Sequence, residues 1–299
     1  MGRGRGQVHG LIGFGMDRSP NSLLAQTKRL LRNFDLKARK GLGQHFLVDQ
    51  EVLKAIVSAA EVTPDDIIVE VGPGLGILTR ELAQRAGRVI AIELDDKLAA
   101  LLKRTLASFN NVTIINEDVL KIEPKDLLKE QDYKVVANLP YYITSPVLRH
   151  FLEARAKPQT MIVMVQKEVA EAIAAKPGDM SLLSVSVQFY AKPEIIRSVP
   201  AKSFYPAPEV DSAILRLDLY SQPAVAVDEG GFFNLVRAGF AAPRKQLVNS
   251  LAQGLGRAKT EVLPLLEEAG IASQRRAETL SLEEWARLWR LFEEKNANH

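Results

Sequence analysis

Glu70-Val71-Gly72-Pro73-Gly74-Leu75-Gly76 is the segment of this 299-residue chain whose residue types and spacing most resemble a ligand site. An apolar run, residues 67–71, leads into it and a helical pattern, residues 78–86, follows it, so the glycines occupy a strand-to-helix turn. Glycine there tolerates positive φ and lets the main chain approach a ligand closely. In an open α/β sheet, ligands collect at the carboxyl ends of the strands. A dinucleotide fingerprint needs glycine at the first, third and sixth places, and Ile77 holds the sixth. A negative Glu70 beside the loop disfavours a pyrophosphate and suits a ligand carrying an amino group and a sulfonium. The loop therefore points to S-adenosyl-L-methionine, with Gly72 and Gly74 in the cofactor site.

Two further acids fall where such a ligand needs them. Glu93 closes the next strand and could accept hydrogen bonds from both ribose hydroxyls; its plainer role is capping the following helix, which Asp95 or Asp96 could do instead. Asp118 follows the third strand and could accept from the amino group of the cofactor's adenine, although alone it would pass for a loop acid.

Asn138-Leu139-Pro140-Tyr141 ends the fourth strand and suits a different task. Adenine N6 is a poor nucleophile because its lone pair is delocalised into the ring. Two acceptors bonded to its hydrogens would draw the nitrogen towards tetrahedral geometry. The Asn138 side-chain oxygen and a carbonyl of Leu139 or Pro140 could be that pair, with proline fixing the backbone. Tyr141 could stack on the base. Phe204, in Ser203-Phe204-Tyr205-Pro206, could close the second face of a base taken out of its stack, or could equally be core packing. Catalysis is then positioning for in-line attack, and the methylated nitrogen gives up its proton to water.

The elements that must hold these residues follow from periodicity. Residues 67–71, 88–93, 112–116, 134–138 and 161–166 read as buried strands, with helical patterns between them at 78–86, 96–108 and 146–154, and another at 167–175. That alternation predicts a parallel sheet covered on both faces. Residues 195–199 and 213–219 read as two closing strands, and residues 182–190 suit strand or helix. Short helices are expected at 22–34 and 52–60. After Gln222-Pro223 the pattern is wholly helical, at 231–240, 245–251, 259–269 and 282–294. The expected organisation is a flexible basic tail (1–26), a catalytic domain (27–220) and a helical domain (221–299).

Together, residues 41–47 (Gly41-Leu42-Gly43-Gln44-His45-Phe46-Leu47), the Glu70 loop, the Asn138 motif and Phe204-Tyr205-Pro206-Ala207-Pro208 with Val210-Asp211-Ser212-Ala213 resemble the ribosomal RNA small-subunit adenine N6,N6-dimethyltransferases, the KsgA family. The likeness runs from about Thr27 to the C-terminus. It implies a Rossmann-like seven-stranded methyltransferase sheet with a small all-helical C-terminal domain that contacts RNA. It also implies dimethylation of two adjacent adenosines near the 3′ end of small-subunit rRNA, in the course of small-subunit biogenesis. Carried over, His45 and Leu47 would line the cofactor site with Gly72, Glu93, Asp118 and Asn138. His45 and Tyr142 both stand where the pattern has Asn. Large-subunit resistance methyltransferases share most of these motifs; Leu139 and the Pro206–Ser212 stretch favour the small-subunit class. A non-catalytic assembly factor could lose the Asn138 motif, which is intact here.

Composition fits this reading. Hydrophobic residues make up 46% and charged residues 25%, the profile of a globular protein. No apolar run approaches the ~20 residues of a membrane span. Cysteine is absent, which removes disulfides and thiolate metal sites and fits a cytoplasmic protein; separately, a monomer without metal or membrane partner is expected. Net charge is only +3, but residues 1–45 hold 9 of the 39 Lys and Arg against 2 of the 36 acids. Residues 237–259 carry five cations, including Arg237, Arg244 and Lys245, and no acid. Such segments are expected to contact a polyanion, here rRNA, the alternative being solvated faces.

Overall fold

The computed structural model describes residues 22–129 and 131–297. Most of the predicted tail therefore lies outside the described residues. Its end does not: Ser22 caps α1 (Leu23–Asn33), its hydroxyl accepting from Ala25 N at 3.3 Å, so residues 23–26 are the first turn of a helix.

Nine strands follow in order, β1 (Phe46–Leu47), β2 (Ile67–Val71), β3 (Arg88–Glu93), β4 (Val112–Asn116), β5 (Lys134–Asn138), β6 (Thr160–Gln166), β7 (Ala191–Val199), β8 (Phe204–Tyr205) and β9 (Ser212–Leu219). Seven of them form one sheet in the order β4-β3-β2-β5-β6-β9-β7. The first five are parallel, and β9 runs antiparallel to both β6 and β7. The chain leaves β2 to one side for β3 and returns to the other side for β5. That reversal opens a crevice at the carboxyl ends of β2, β3 and β5, where Gly72, Glu93 and Asn138 lie.

The helices are α2 (Gln50–Ala60), α3 (Ile77–Ala83), α4 (Asp96–Thr105), α5 (Pro124–Leu128), α6 (Thr144–Leu152), α7 (Lys167–Ile173) and α8 (Leu182–Tyr190). They cover the sheet, as its buried strands require. Residues 182–190, undecided in sequence, are helical: Ser181 and Ser184 cap one another's backbone at the start, and the neighbours Ser184-Val185 and Phe189-Tyr190 are buried together, which a strand's alternation does not give. After β9 come α9 (Glu229–Phe240), α10 (Leu247–Leu255), α11 (Lys259–Glu268) and α12 (Leu282–Ala297). They share a core with the sheet: Phe189 of α8 stacks on Phe232 of α9 at 5.1 Å, and Trp285 of α12 is fully buried in the same cluster. Within that bundle α9 is held tightly to α12. A Cβ on Gly239 would lie 2.3 Å from the Trp285 ring.

Two short strands, like the short helix α5, are not foreshadowed by the sequence pattern. β1 and β8 pair antiparallel, Phe46 with Tyr205 and Leu47 with Phe204. Val48 N–H donates to Ser203 O at 2.8 Å and the Ser203 hydroxyl to Asp49 Oδ2 at 2.8 Å. This zipper fixes residues 45–49 against residues 203–206 at the side of the crevice.

Candidate active site

The crevice holds a cavity of about 220 Å³, far more than the ~30 Å³ share of one water and so of a size for a ligand. Its lining joins the 41–47 segment, the ends of β2, β3 and β5, and the turn after β4.

The glycine loop divides its work. Gly72 and Gly74 line the cavity, both with positive φ, and a Cβ on Gly74 would press on the Phe46 ring at 3.3 Å. Gly76 caps α3 instead (φ 76°), and a Cβ there would meet Leu102 of α4 at 2.8 Å, so it serves helix packing. Glu93 holds the loop from the neighbouring strand: Oε2 accepts from Gly74 N at 3.0 Å and Oε1 from Asp95 N at 2.9 Å. Burial raises the pKa of Glu93, against those amide bonds. Capping of α4 falls to Asp95, whose Oδ1 accepts from Lys97 N and Leu98 N.

Glu70 departs from the sequence reading in one respect. It was expected to carry a negative charge; it is 1% exposed, and its Oε2 has no hydrogen-bond partner. Burial, opposed by the Thr79 hydroxyl and reinforced by Glu93, pushes its pKa up to about 8. At neutral pH it is therefore mostly protonated, because an unpaired buried carboxylate pays a large desolvation cost. It lines the cavity all the same.

Asn138, the last residue of β5, donates from Nδ2 to His45 O at 3.1 Å. A carbonyl can only accept, so this bond fixes which way the amide points and leaves Oδ1 as the acceptor for a ligand. Of the two candidate carbonyls, that of Pro140 accepts from Ile143 N at 3.1 Å. That of Leu139 receives no hydrogen bond among the described residues and is the uncommitted one. Tyr141 is held at both ends: its hydroxyl lies 2.7 Å from Ser212 Oγ and its ring stacks on His45 at 5.8 Å. The Nδ1 of His45 lies 2.8 Å from Pro206 O and must carry the proton there. His45, Leu47, Leu139, Pro140, Tyr141 and Asp118 all line the cavity. Asp118 also caps the short turn after β4, its Oδ1 accepting from Leu120 N at 3.0 Å.

Phe204 must be corrected. It was a candidate face for a target base, but it is 2% exposed, packs in the core cluster of Leu47, Val199 and Ile214, and does not line the cavity. Its pairing opposite Leu47 turns the ring into the core, where it cannot stack on a base in this arrangement. The exposed ring at the mouth is Tyr142, 53% exposed beside Gly43.

Two residues of the site were not legible as such. Asp95 Oδ2 accepts from Arg39 Nη1 at 3.1 Å and from Gln44 Nε2 at 3.2 Å, while Gln44 Oε1 takes Arg39 N. Asp95 thus ties the 41–47 segment to the end of β3. Sequence offered it only as a cap, and Gln44, quoted in the motif, was the sole hint of a partner. Arg237, Arg244 and Lys245 lie away from the cavity lining, exposed on α9 and in the α9–α10 loop. Among the described residues Arg237 and Lys245 bond neutral partners, Asn234 and Gln253.

With this geometry in hand, comparison is decisive: residues 35–294 match the ribosomal RNA adenine dimethylase family. The chain belongs to that family. It is 55% identical over 276 residues to a ribosomal RNA small subunit methyltransferase A of Dehalococcoides mccartyi, covering 91% of this chain and 94% of the relative. The fold is similar to that of a dimethyladenosine transferase from Plasmodium falciparum, at 27% identity and TM-score 0.74, over 84% of this chain and 98% of that one. It is also similar to the 23S rRNA methyltransferase ErmE, at 30% identity and TM-score 0.67, over 83% of this chain and 99% of the other. The seven-stranded methyltransferase sheet and the helical C-terminal region are thus those of an rRNA-methylating enzyme family.

Proposed function

We propose that this enzyme uses S-adenosyl-L-methionine to dimethylate N6 of two adjacent adenosines near the 3′ end of small-subunit rRNA, in the cytoplasm and as part of small-subunit biogenesis. One observation carries the proposal. The cavity joins a place for a cofactor to an acceptor pair, Asn138 Oδ1 and the Leu139 carbonyl, whose orientation the protein fixes before anything binds.

The residues present fit the cofactor. Gly72 and Gly74 leave open the space a Cβ would fill, Glu93 and Asp118 are acceptors for ribose and adenine, and the unpartnered Glu70 Oε2 suits an ammonium. The cofactor supplies an electrophilic methyl group. The protein supplies position: the acceptor pair would hold both N6 hydrogens in the first transfer, and the one that remains in the second, turning the nitrogen lone pair towards the methyl donor. Because these acceptors are preorganised, no reorganisation is needed as charge develops on N6. The proton leaves to water once the nitrogen is alkylated. Arg237, Arg244 and Lys245, exposed and without carboxylate partners among the described residues, are proposed to hold the rRNA backbone.

Methyl transfer from labelled cofactor to undermethylated small subunits, to large-subunit RNA and to DNA, with nucleoside mass analysis, tests the proposal. Dimethyladenosine on the small subunit alone is the expected result. Product on the large subunit would move the enzyme to the resistance class. Cofactor binding without product on any substrate would leave an assembly factor.

A further inference from the structure

Lys28, Arg29, Arg32 and Lys37, on and just after α1, take no part in the tether that Arg39 makes with Asp95. α1 packs an apolar face, Leu30, Leu31 and Phe34, on Leu98, Leu101 and Leu102 of α4. The outward faces carry Lys28, Arg29 and Arg32 on α1, Lys103 and Arg104 on α4, and Lys37 between them, all exposed. α1 has no acid, and the exposed acids on this face are Asp35 and Asp96.

Lys54, Arg85 and Arg149 each sit on an acid three or four residues away in the chain. None of the six has a carboxylate within ion-pair distance among the described residues; Lys28 and Arg104 rest on the rings of Tyr205 and Phe34. Six like charges set close together, against two acids, build a positive field that favours a polyanion.

The place of this face says which polyanion. Lys28 lies over Tyr205, whose neighbour Pro206 accepts from His45 of the cavity wall. α4 begins directly after Glu93 and Leu94, and its ten residues run ~15 Å. At one charge per ~3.4 Å of duplex strand, that length faces about four phosphates. The cavity mouth adds Leu94, Leu120 and Tyr142, three exposed apolar side chains that line the cavity. Apolar surface for splayed bases beside cations for phosphates is the pattern of nucleic-acid binding. α1 and α4 expose no large apolar residue for insertion into a lipid surface.

We propose that the α1–α4 face is a second RNA-binding surface, which grips the phosphate backbone next to the target adenosines independently of the helical region. The proposal rests on the reading of the enzyme as an rRNA methyltransferase.

The test is the salt dependence of binding to undermethylated small subunits, for wild type, for Arg29→Gln/Arg32→Gln and for Lys103→Gln/Arg104→Gln. Each double variant should flatten the slope of log K against log salt by about one to two units, with S-adenosylhomocysteine affinity at the wild-type value. Wild-type slopes in both variants would overturn the proposal and leave the substrate reading intact. Failure of the wild-type protein to bind would overturn both.

Discussion

Replacing Glu70 by Gln tests how the buried carboxyl shapes the apo protein. Glu70 titrates near 8 in the folded chain, against 4.5 for an ordinary Glu. Between those values the native state holds a proton that the unfolded state has released. Stability therefore falls as pH rises through this window, and the loss ends above the folded pKa. One pKa unit corresponds to about 1.4 kcal/mol, so the step from pH 6 to 9 costs roughly 2.5 kcal/mol. For a protein of 299 residues, at about 2.1 cal/mol/K of unfolding entropy per residue, that is a fall in Tm of roughly 4 °C. Gln keeps the shape and does not titrate. Thermal unfolding at pH 6, 7, 8 and 9 should therefore show the variant gaining on wild type by that amount at alkaline pH, with little difference at pH 6. Parallel curves for the two proteins would refute the reasoning, because Glu70 would then be ionised throughout. Cofactor affinity gives a second readout: an ammonium ligand would draw the proton off Glu70, so wild-type affinity should rise between pH 6 and 8 and the variant's should not.

Asn138→Ala should cut methyl transfer by about 10²–10³, the scale on which a preorganised site loses one charge-stabilising group. S-adenosylhomocysteine affinity should change less than about tenfold, since the protein loses one neutral bond to His45; normal turnover would sink the acceptor role. Asp95→Asn should weaken that affinity about tenfold or more through the loss of its charged bonds to Arg39 and Gln44, measured by calorimetry. An unchanged constant would mean that the tether to residues 41–47 is incidental. Gly239→Ala places a methyl group against Trp285 and should cost about 1–3 kcal/mol by overpacking, seen as a denaturation midpoint below wild type; an unaltered midpoint would show that α9 and α12 can move apart freely. Charge reversal of Arg244 and Lys245 should weaken RNA binding and flatten its salt slope by about two units, whereas an unchanged slope would mark a solvated loop.

The sequence determined the features that depend on local order. Strand and helix periods, the glycines after β2 and the polar residues ending β3 and β5 were legible because backbone geometry imposes those spacings over a few residues. The parallel order followed from alternation, and with it the meeting of Gly72, Glu93 and Asn138 at one edge. Tertiary structure decided what depends on distant partners. The orientation of the Asn138 amide comes from His45, 93 residues away, and the 41–47 tether comes from Asp95. Phe204 looked available for a base until its pairing with Leu47 turned it into the core. The protonation of Glu70 was invisible in the same way: a carboxyl's charge is set by how completely the folded chain excludes water, and no local pattern encodes that.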